Sequence, residues 1–396
     1  MRAPNTSPED PALAHTNTIA QQLLKLTPRH EFETIARDAD RLTRKLTCWS
    51  QFNALVFAQF TGRDSLRDVV TGLEARKSEH YHLGIGDVRR STLADANENR
   101  PWQVYETLFE RVLGKCRAFA PAHGFKFKNP LYSIDATTID LCLSVFPWAK
   151  FRKRKGAIKI HTVLDHRGHL PTVAVVTDGK KADIRAAREM KFARGSILAM
   201  DRAYIDFAWM ESLDDSGVFF VTRMKTNTCY RTVRRFPESK GDGVTSDSNV
   251  VLTGTAGSAY SSALRRVRYV DPETGNVYVF LTNAFQFSAK TIAEIYKQRW
   301  QIELFFKWIK QHLKVKTFLG TSKNAVLTQI YVALIAYLLV AFQAFQQRTH
   351  ASSLTLLRLI QLNFFERVDL AVLFRGERKD RSPPLPANPQ LVLLGW

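Results

Sequence analysis

The spacing of apolar residues changes near Lys126, and this change constrains the fold more than any other feature. Before it, apolar residues recur at helical spacing in TIAQQLLKL, FNALVFAQF, SLRDVVTGLEARK and WQVYETLFERVLGKCRAFA. After it, short β-branched runs lie between turn residues: LYSIDATTIDLCLSVF, AIKIHTVLD, LPTVAVVTD, SILAMDRAY and GVFFVTRMK. Three strands, followed by strands that alternate with helices, predict an α/β fold in which helices cover a mixed sheet.

Turn and cap residues mark the ends of several predicted elements. The break Thr61–Ser65 separates two helical runs and offers Asp64 or Ser65 as an N-cap. His166–His169 is typical of a hairpin turn, and helices are predicted over Asp183–Lys191 and Ile205–Asp214. The two helices around the first break suit either a helix-turn-helix DNA reader or a structural bundle.

The rest of the chain divides into further segments. Residues 227–287 are rich in Thr, Gly and Ser around strand-like VVLTGT, ALRRVRYV and VYVFLTN, which predicts a β-rich insertion. One long helix is predicted from Ser288, and a helical apolar tail to about Phe374. The predicted parts are a disordered leader (1–17), a helical region (18–125), an α/β core (126–226 and 288–350) split by the insertion, and a tail that is helical and then irregular (351–396).

The charge of the chain favours a polyanionic partner. Lysine and arginine total 57 against 37 acidic residues, which gives a formal net charge of +20. Because each neutralised phosphate releases condensed counterions, nucleic acid is the expected partner of a chain this basic. A generally basic protein without such a partner is the alternative.

Cysteine spacing and apolar runs bear on the compartment. The four cysteines lie far apart without a CxxC pair, which supports neither a disulfide framework nor a zinc cluster and fits a reducing compartment. The apolar run Ile330–Phe342 is shorter than the ~20 residues that span a bilayer, so we predict a buried helix. The N-terminus lacks the apolar region of a signal peptide, and the cytoplasm is the expected location.

The segment YKQRWQIELFFKWIKQHL presents two neighbouring stripes if it is helical. At 100° per residue, its polar stripe lies within roughly 80° and an apolar stripe is centred about 80° away. The polar stripe consists of Tyr296, Arg299, Glu303, Lys307 and Lys310, and the apolar stripe of Ile295, Ile302, Phe306, Ile309 and Leu313. The polar stripe is either a solvated face on which Glu303 pairs with Arg299 or Lys307, or a site where cations surround a glutamate at the edge of the core.

Two aspartates interrupt predicted strands. Asp135 in LYSIDATTIDL shares a strand face with Thr137 and Ile139, and an aspartate there needs a partner, a hydrogen-bond network or a metal. Asp201 in SILAMDRAY follows a strand, where carboxylates often form sites. The alternatives are turn capping by Asp135 and helix capping by Asp201, although Asp206 is the better cap.

Carboxylates on two strands and a helix are suited to phosphodiester chemistry. Asp135, Asp201 and Glu303 would hold two Mg²⁺ ions, for which Mn²⁺ substitutes, to activate the attacking oxygen and stabilise the leaving one. Arg299, Lys307 and Lys310 would complement phosphate charge. Trp300 either stacks on an unpaired base or packs into the core.

These motifs resemble those of the IS-four family of bacterial insertion-sequence transposases. The run matches that family's Tyr-(2)-Arg-(3)-Glu-(6)-Lys motif at Tyr296, Arg299, Glu303 and Lys310. The strand with Asp135 and the segment Asp201-Arg202-Ala203-Tyr204 are similar to its two aspartate motifs, with Ala203 where relatives often carry glycine. The resemblance extends to HEFETIARD, FAQFTGRDSLRDV and STLADANENR near the N-terminus, so it covers nearly the whole chain.

The resemblance implies a ribonuclease-H-like catalytic core with a β-rich insertion and a helical DNA-binding region over residues 18–125. It implies a magnesium-dependent DDE transposase that cuts double-stranded DNA at inverted-repeat ends and joins it to a target, in which Tyr296 also contacts DNA. Synapsis of two ends makes a homodimer plausible. Two alternatives stay open: a catalytically silent or repurposed DNA-binding protein, and a nuclease that cuts without joining.

Overall fold

A computed structural model describes residues 17–41, 46–152, 155–179, 182–237, 243–349 and 351–375. The predicted leader up to residue 16 and the chain end after residue 375 lie outside these ranges. Within them, eight helices precede the first strand: α1 (Ile19–Leu24), α2 (Arg29–Ile35), α3 (Arg37–Asp40), α4 (Cys48–Thr61), α5 (Leu66–Glu74), α6 (Lys77–Leu83), α7 (Arg90–Asn99) and α8 (Gln103–Phe119).

The break between α4 and α5 follows local rules. Gly62 ends α4 in the left-handed conformation with φ of 69°, which glycine adopts without steric cost. The hydroxyl of Ser65 then caps α5 by accepting the backbone N–H of Asp68 at 3.1 Å. Of the two cap residues considered, Ser65 is the one used.

The described strands form a single ten-stranded mixed sheet. Its first six strands are β1 (Leu131–Leu141), β2 (Lys150–Arg152), β3 (Lys155–Asp165), β4 (Leu170–Asp178), β5 (Ile197–Met200) and β6 (Phe219–Arg223). Strands β1, β3 and β4 form an antiparallel meander, with the predicted hairpin turn at 166–169, whereas β5 and β6 run parallel to β1. The order β4-β3-β1-β5-β6 is that of a ribonuclease-H-like core, which confirms the predicted fold class.

The stretch 227–287 extends the same sheet. Its described part contains β7 (Tyr230–Arg235), β8 (Val244–Leu252), the short helix α11 (Gly254–Gly257), β9 (Leu264–Val270) and β10 (Val277–Thr282). Strand β10 pairs antiparallel with β6, and β9, β8 and β7 follow outward in that order. The predicted insertion is therefore joined to the core by backbone hydrogen bonds, while its exact limits stay a prediction.

Helices cover both faces of the sheet. The remaining ones are α9 (Asp183–Arg188), α10 (Phe207–Asp215), α12 (Ala289–Gln298), α13 (Trp300–His312), α14 (Lys323–Gln347), α15 (Ser353–Asn363) and α16 (Leu370–Arg375). Side chains of α9 and α10 pack with one face of the sheet, including Ile134 and Met200. Side chains of α12 pack with the opposite face, including Ile197 and Ala199, and α13 also packs against β1.

Helix α14 is the centre of the largest hydrophobic core. It contains the predicted buried run 330–342, and although it is long and apolar enough to cross a membrane, 94% of its most apolar window is buried inside the protein. Trp102, which precedes α8, stacks on Tyr331 at 5.5 Å between ring centroids, and residues of α4 and α15 belong to the same core. The N-terminal helices therefore share one core with the C-terminal helices.

Candidate active site

Asp135 lies within β1, and Asp201 directly follows the end of the neighbouring parallel strand β5. In the register of these two strands, Ile134 lies opposite Met200, and each aspartate is the next residue along the chain. Adjacent strands lie ~4.8 Å apart, so the carboxyl end of β5 brings Asp201 close to Asp135. Strand pairing therefore positions both, although they are far apart in the sequence.

Arg299 links the first aspartate to the helical glutamate. Its Nη2 donates to Glu303 Oε1 at 2.7 Å, and its Nη1 lies 3.8 Å from Asp135 Oδ2. The arginine side chain is 13% exposed. Asp135 and Glu303 therefore both lie beside the largely buried guanidinium of Arg299. The contact between Asp135 and Arg299 was not predicted from the sequence.

The charges of the other two acids act on Asp135. Burial raises the pKa of Asp135 to about 6, from an ordinary value of 3.8. The backbone N–H of Ala136 and the charge of Arg299 oppose this rise, whereas the negative charges of Glu303 and Asp201 add to it. All three carboxylates thus belong to one electrostatic cluster.

The capping alternative is also present in the structure. Asp201 Oδ1 accepts the backbone N–H of Ala203 at 3.0 Å and so begins a single 3₁₀ turn, Arg202–Tyr204. Asp206, the better predicted cap, accepts the N–H of Trp209 at 2.9 Å and caps α10. This hydrogen bond to the backbone of Ala203 engages one oxygen of Asp201 and fixes the orientation of the carboxylate.

The predicted single helix from Ser288 is wrong, because it is divided at Arg299. The N–H of Arg299 donates to the carbonyl of Tyr296 at 3.0 Å, and the N–H of Ile302 donates to the carbonyl of Arg299 at 3.2 Å. Bonds between residues three apart tighten the backbone relative to an α-helix. This local tightening separates α12 from α13 at the residue that contacts both acids.

The donor chemistry of the cluster suits a hard divalent cation. Carboxylate oxygens are the ligands that Mg²⁺ prefers, and the guanidinium between Asp135 and Glu303 marks a position that favours positive charge. Among the residues that the structure describes, no group of three or more His, Cys, Asp or Glu side chains is already arranged to hold a metal ion. The assignment of a metal ion to Asp135, Asp201 and Glu303 stays a prediction.

Comparison with known proteins identifies the family. The family described as Transposase DDE domain matches residues 126–339, a range that includes Asp135, Asp201 and Glu303. The chain belongs to the DDE transposase family. Its activity is therefore DNA transposition, by phosphodiester cleavage and transesterification, and enzymes of this family use divalent metal ions. Residues 15–86 of this transposase also match a domain of unknown function.

Three curated transposases are similar over most of their length. The Sinorhizobium fredii protein y4zB, described as a transposase, is 35% identical over 75% of this chain and 81% of its own. The transposase of the element IS5377 from Geobacillus stearothermophilus is 30% identical over 65% of this chain and 67% of its own. The transposase of IS4SA from Synechocystis is 23% identical over 60% of this chain and 67% of its own.

A solved piggyBac transposase synaptic complex with hairpin DNA has a TM-score of 0.47 and 11% identity, covering 93% of this chain and 84% of that one.

The other predicted DNA contacts of the transposase differ in accessibility. Trp300 is 55% exposed, which excludes the core-packing alternative, and Lys307 on the same helix is also exposed. Lys310 is half-buried, and burial together with Lys316 lowers its pKa against the effect of Asp140. Tyr296 is 8% exposed, and Arg299 lies 5.6 Å from its ring centroid. The observed contact of Tyr296 is to Arg299, and its role as a DNA contact stays a prediction.

A second acidic group was not recognised as a cluster in the sequence. Asp183, at the start of α9, lies 3.0 Å from Lys159 Nζ and 3.7 Å from His161 Nδ1. In the β1–β3 register, His161 lies opposite Ala136, so it points to the face of the sheet opposite to Asp135. The sequence predicts that Lys159 and His161 share one strand face beside Asp135; they do share a face, but it is the opposite one. Their pairing with Asp183 depends on tertiary structure.

Proposed function

We propose that this transposase acts by cut-and-paste on an insertion sequence of the IS-four kind, with two Mg²⁺ ions held by Asp135, Asp201 and Glu303. The observation that supports it is the convergence of Asp135 and Glu303 on Arg299, with Asp201 beside Asp135 in strand register. When bound, the ions activate the attacking hydroxyl and stabilise the leaving oxyanion. Mn²⁺ is expected to substitute.

The surface beside the carboxylates supports a role in holding DNA. Trp300 offers an exposed ring for stacking on an unpaired base, and Lys307 lies one helical turn beyond Glu303. Lysine neutralises backbone phosphate without reading sequence. These residues would position double-stranded DNA at the carboxylates, with Lys310 at the inner margin of the same surface.

The N-terminal region, residues 18–125, is proposed to contact DNA through its outer helices. Helix α4 is buried along almost its whole length and packs against α14, so it would stabilise the N-terminal region rather than contact DNA. Helix α5 keeps exposed residues, including Arg67, and is the better candidate for a contact. A homodimer that joins two ends, and a cytoplasmic, nucleoid-associated location, complete the proposal.

The test is cleavage of the DNA that flanks the reading frame, in Mg²⁺ or Mn²⁺. Asp135→Asn, Asp201→Asn and Glu303→Gln are each expected to abolish nicking while a gel shift shows retained binding. Asp140→Asn is the matched control, because Asp140 is exposed on the opposite face of the same strand. Cleavage that persists in all three single variants would exclude this triad. Binding without nicking by the unmodified protein would favour a catalytically silent DNA-binding protein.

A precut substrate separates transposition from simple hydrolysis. DNA ends that already carry a free 3′-hydroxyl are mixed with a target plasmid, and joined products are measured. Joining is expected with the unmodified chain and absent with Glu303→Gln. A protein that nicks flanking DNA but never joins precut ends would be a nuclease, which would overturn the cut-and-paste proposal.

A further inference from the structure

Arg299 holds the oxygens that a metal ion would need. Its guanidinium donates to Glu303 Oε1 at 2.7 Å and lies 3.8 Å from Asp135 Oδ2. Mg²⁺ binds carboxylate oxygen at ~2.0–2.1 Å, and two cations on the same oxygens repel each other. A metal ion on these two oxygens would therefore repel Arg299 from its present position.

The contacts of Arg299 leave it incompletely satisfied. Its Nε is buried and has no hydrogen-bond partner among the described residues, although a guanidinium has five N–H donors. The Cζ atom of Arg299 also lies over the ring of Tyr296, 5.6 Å from its centroid. Arginine is the side chain best matched to a phosphate, which accepts two parallel N–H donors.

The position of Arg299 permits such a change. It lies between α12 and α13, where the hydrogen bonds join residues three apart, and Trp300 beside it is exposed. Lys307 is exposed one helical turn beyond Glu303 on α13. A guanidinium that leaves the carboxylates toward this surface would meet a DNA backbone bound there.

We propose that Arg299 is a positioning residue that exchanges partners. In the metal-free protein its single positive charge lies between Asp135 and Glu303 and links α13 to β1. When metal ions occupy the carboxylates, it transfers to a phosphate of the bound DNA. This rests on the proposed function, and it makes metal binding and DNA binding reciprocally coupled, since each ligand favours the same position of Arg299.

The experiment measures Mn²⁺ binding to the full chain by calorimetry, with and without a duplex copied from the DNA that flanks the reading frame. In the unmodified protein, the duplex is expected to increase Mn²⁺ affinity severalfold. Arg299→Met removes the competing charge and keeps the aliphatic stem, so it should bind Mn²⁺ about tenfold more tightly without DNA. In this variant the effect of the duplex on Mn²⁺ affinity should fall to nearly nothing.

Lys307→Met is the matched control, because it removes a cation from α13 that makes no ion pair with the three carboxylates among the described residues. It should weaken duplex binding but change Mn²⁺ affinity without DNA by less than about twofold. Arg299→Lys, which keeps the charge but not the two-pronged donor, should bind Mn²⁺ with an affinity between those of the unmodified protein and Arg299→Met.

The outcomes separate this inference from the proposed function. If Asp135→Asn and Glu303→Gln leave Mn²⁺ binding unchanged, the metal site itself is refuted. If they abolish it while Arg299→Met binds Mn²⁺ no more tightly, or retains the full effect of DNA, only the partner exchange is refuted. If Arg299→Met is unfolded by circular dichroism, Arg299→Lys decides: an unchanged Mn²⁺ affinity and DNA effect in that variant would also refute the exchange.

Discussion

The two faces of the central sheet each carry a group of charged side chains, and the balance of charge differs between them. On one face, Asp183 lies 3.0 Å from the ammonium of Lys159. On the other, Asp135 and Glu303 share the guanidinium of Arg299, and Asp201 adds a further carboxylate. The first pair is neutral, whereas the second group carries excess negative charge. The difference predicts a structural ion pair on one face and a cation site on the other.

The largest expected effect is on catalysis. If the proposed metal site is correct, Asp135→Asn, Asp201→Asn or Glu303→Gln should each lower the rate of cleavage by at least about a thousandfold, because each would remove a proposed metal ligand. Asp183→Asn should lower it by less than about tenfold, since Asp183 faces the opposite side of the sheet. Single-turnover cleavage of flanking DNA measures both. Equal losses at Asp183 and Asp135 would remove the distinction between the two faces.

The next effect is on stability without metal. Burial raises the pKa of Asp135 to about 6, above 3.8, so the folded protein holds this proton more tightly than the unfolded chain. The resulting stabilisation of the folded protein is complete below pH 3.8 and is lost as the pH rises through about 6, the pKa of Asp135 in the folded protein. Asp135→Asn should therefore raise the free energy of unfolding above pH 6 by about 2 kcal/mol, with no gain below pH 4. Denaturant unfolding in EDTA at the two pH values checks this, with Asp140→Asn as the unaffected control.

The same chemical change on the other face should have the opposite sign. Asp183→Asn removes the carboxylate beside Lys159, whose side chain is 18% exposed, and a negative charge from the first turn of α9. We expect the free energy of unfolding to fall by about 1–2 kcal/mol at neutral pH. Thermal unfolding measures the loss. A stabilised Asp183→Asn variant would mean that this cluster is also short of positive charge.

The smallest effect concerns DNA affinity. Lys307→Met should weaken binding of a duplex severalfold at low salt and reduce the slope of log affinity against log salt by about 0.9, which corresponds to one phosphate contact. Asp215→Asn, at an exposed position of α10 on the other face of the sheet, should leave the slope unchanged. Fluorescence anisotropy over a series of salt concentrations provides the slopes. An unchanged slope for Lys307→Met would place the DNA elsewhere.

Features set by neighbouring residues were predictable from the sequence. The hairpin at 166–169, the cap at Ser65 and the strand of Asp135 follow from turn chemistry and apolar spacing. The division of the long helix at Arg299 was not, because its residues fit continuous helical spacing equally well. The joining of 227–287 to the core sheet also required long-range strand pairing, which periodicity does not specify.

The candidate site shows the same limit. Both interpretations of the polar stripe were partly correct: Glu303 pairs with Arg299 as on a solvated face, yet the arginine is buried beside Asp135. Helical spacing predicts the first contact because the residues are four apart. The second depends on how α13 packs against β1, and nothing in the local sequence encodes that distance.

The central place of α14 bears on how the protein is made. The ring of Trp102, near the start of α8, and the thiol of Cys116 both contact α14, the thiol at the carbonyl of Leu338. The N-terminal helices are synthesised early, but they can pack against α14 only after the whole sheet has been translated and α14 has left the ribosome. A premature stop codon before residue 323 would release a chain whose N-terminal helices expose their apolar faces, and such a fragment is expected to aggregate or be degraded rather than compete for element ends.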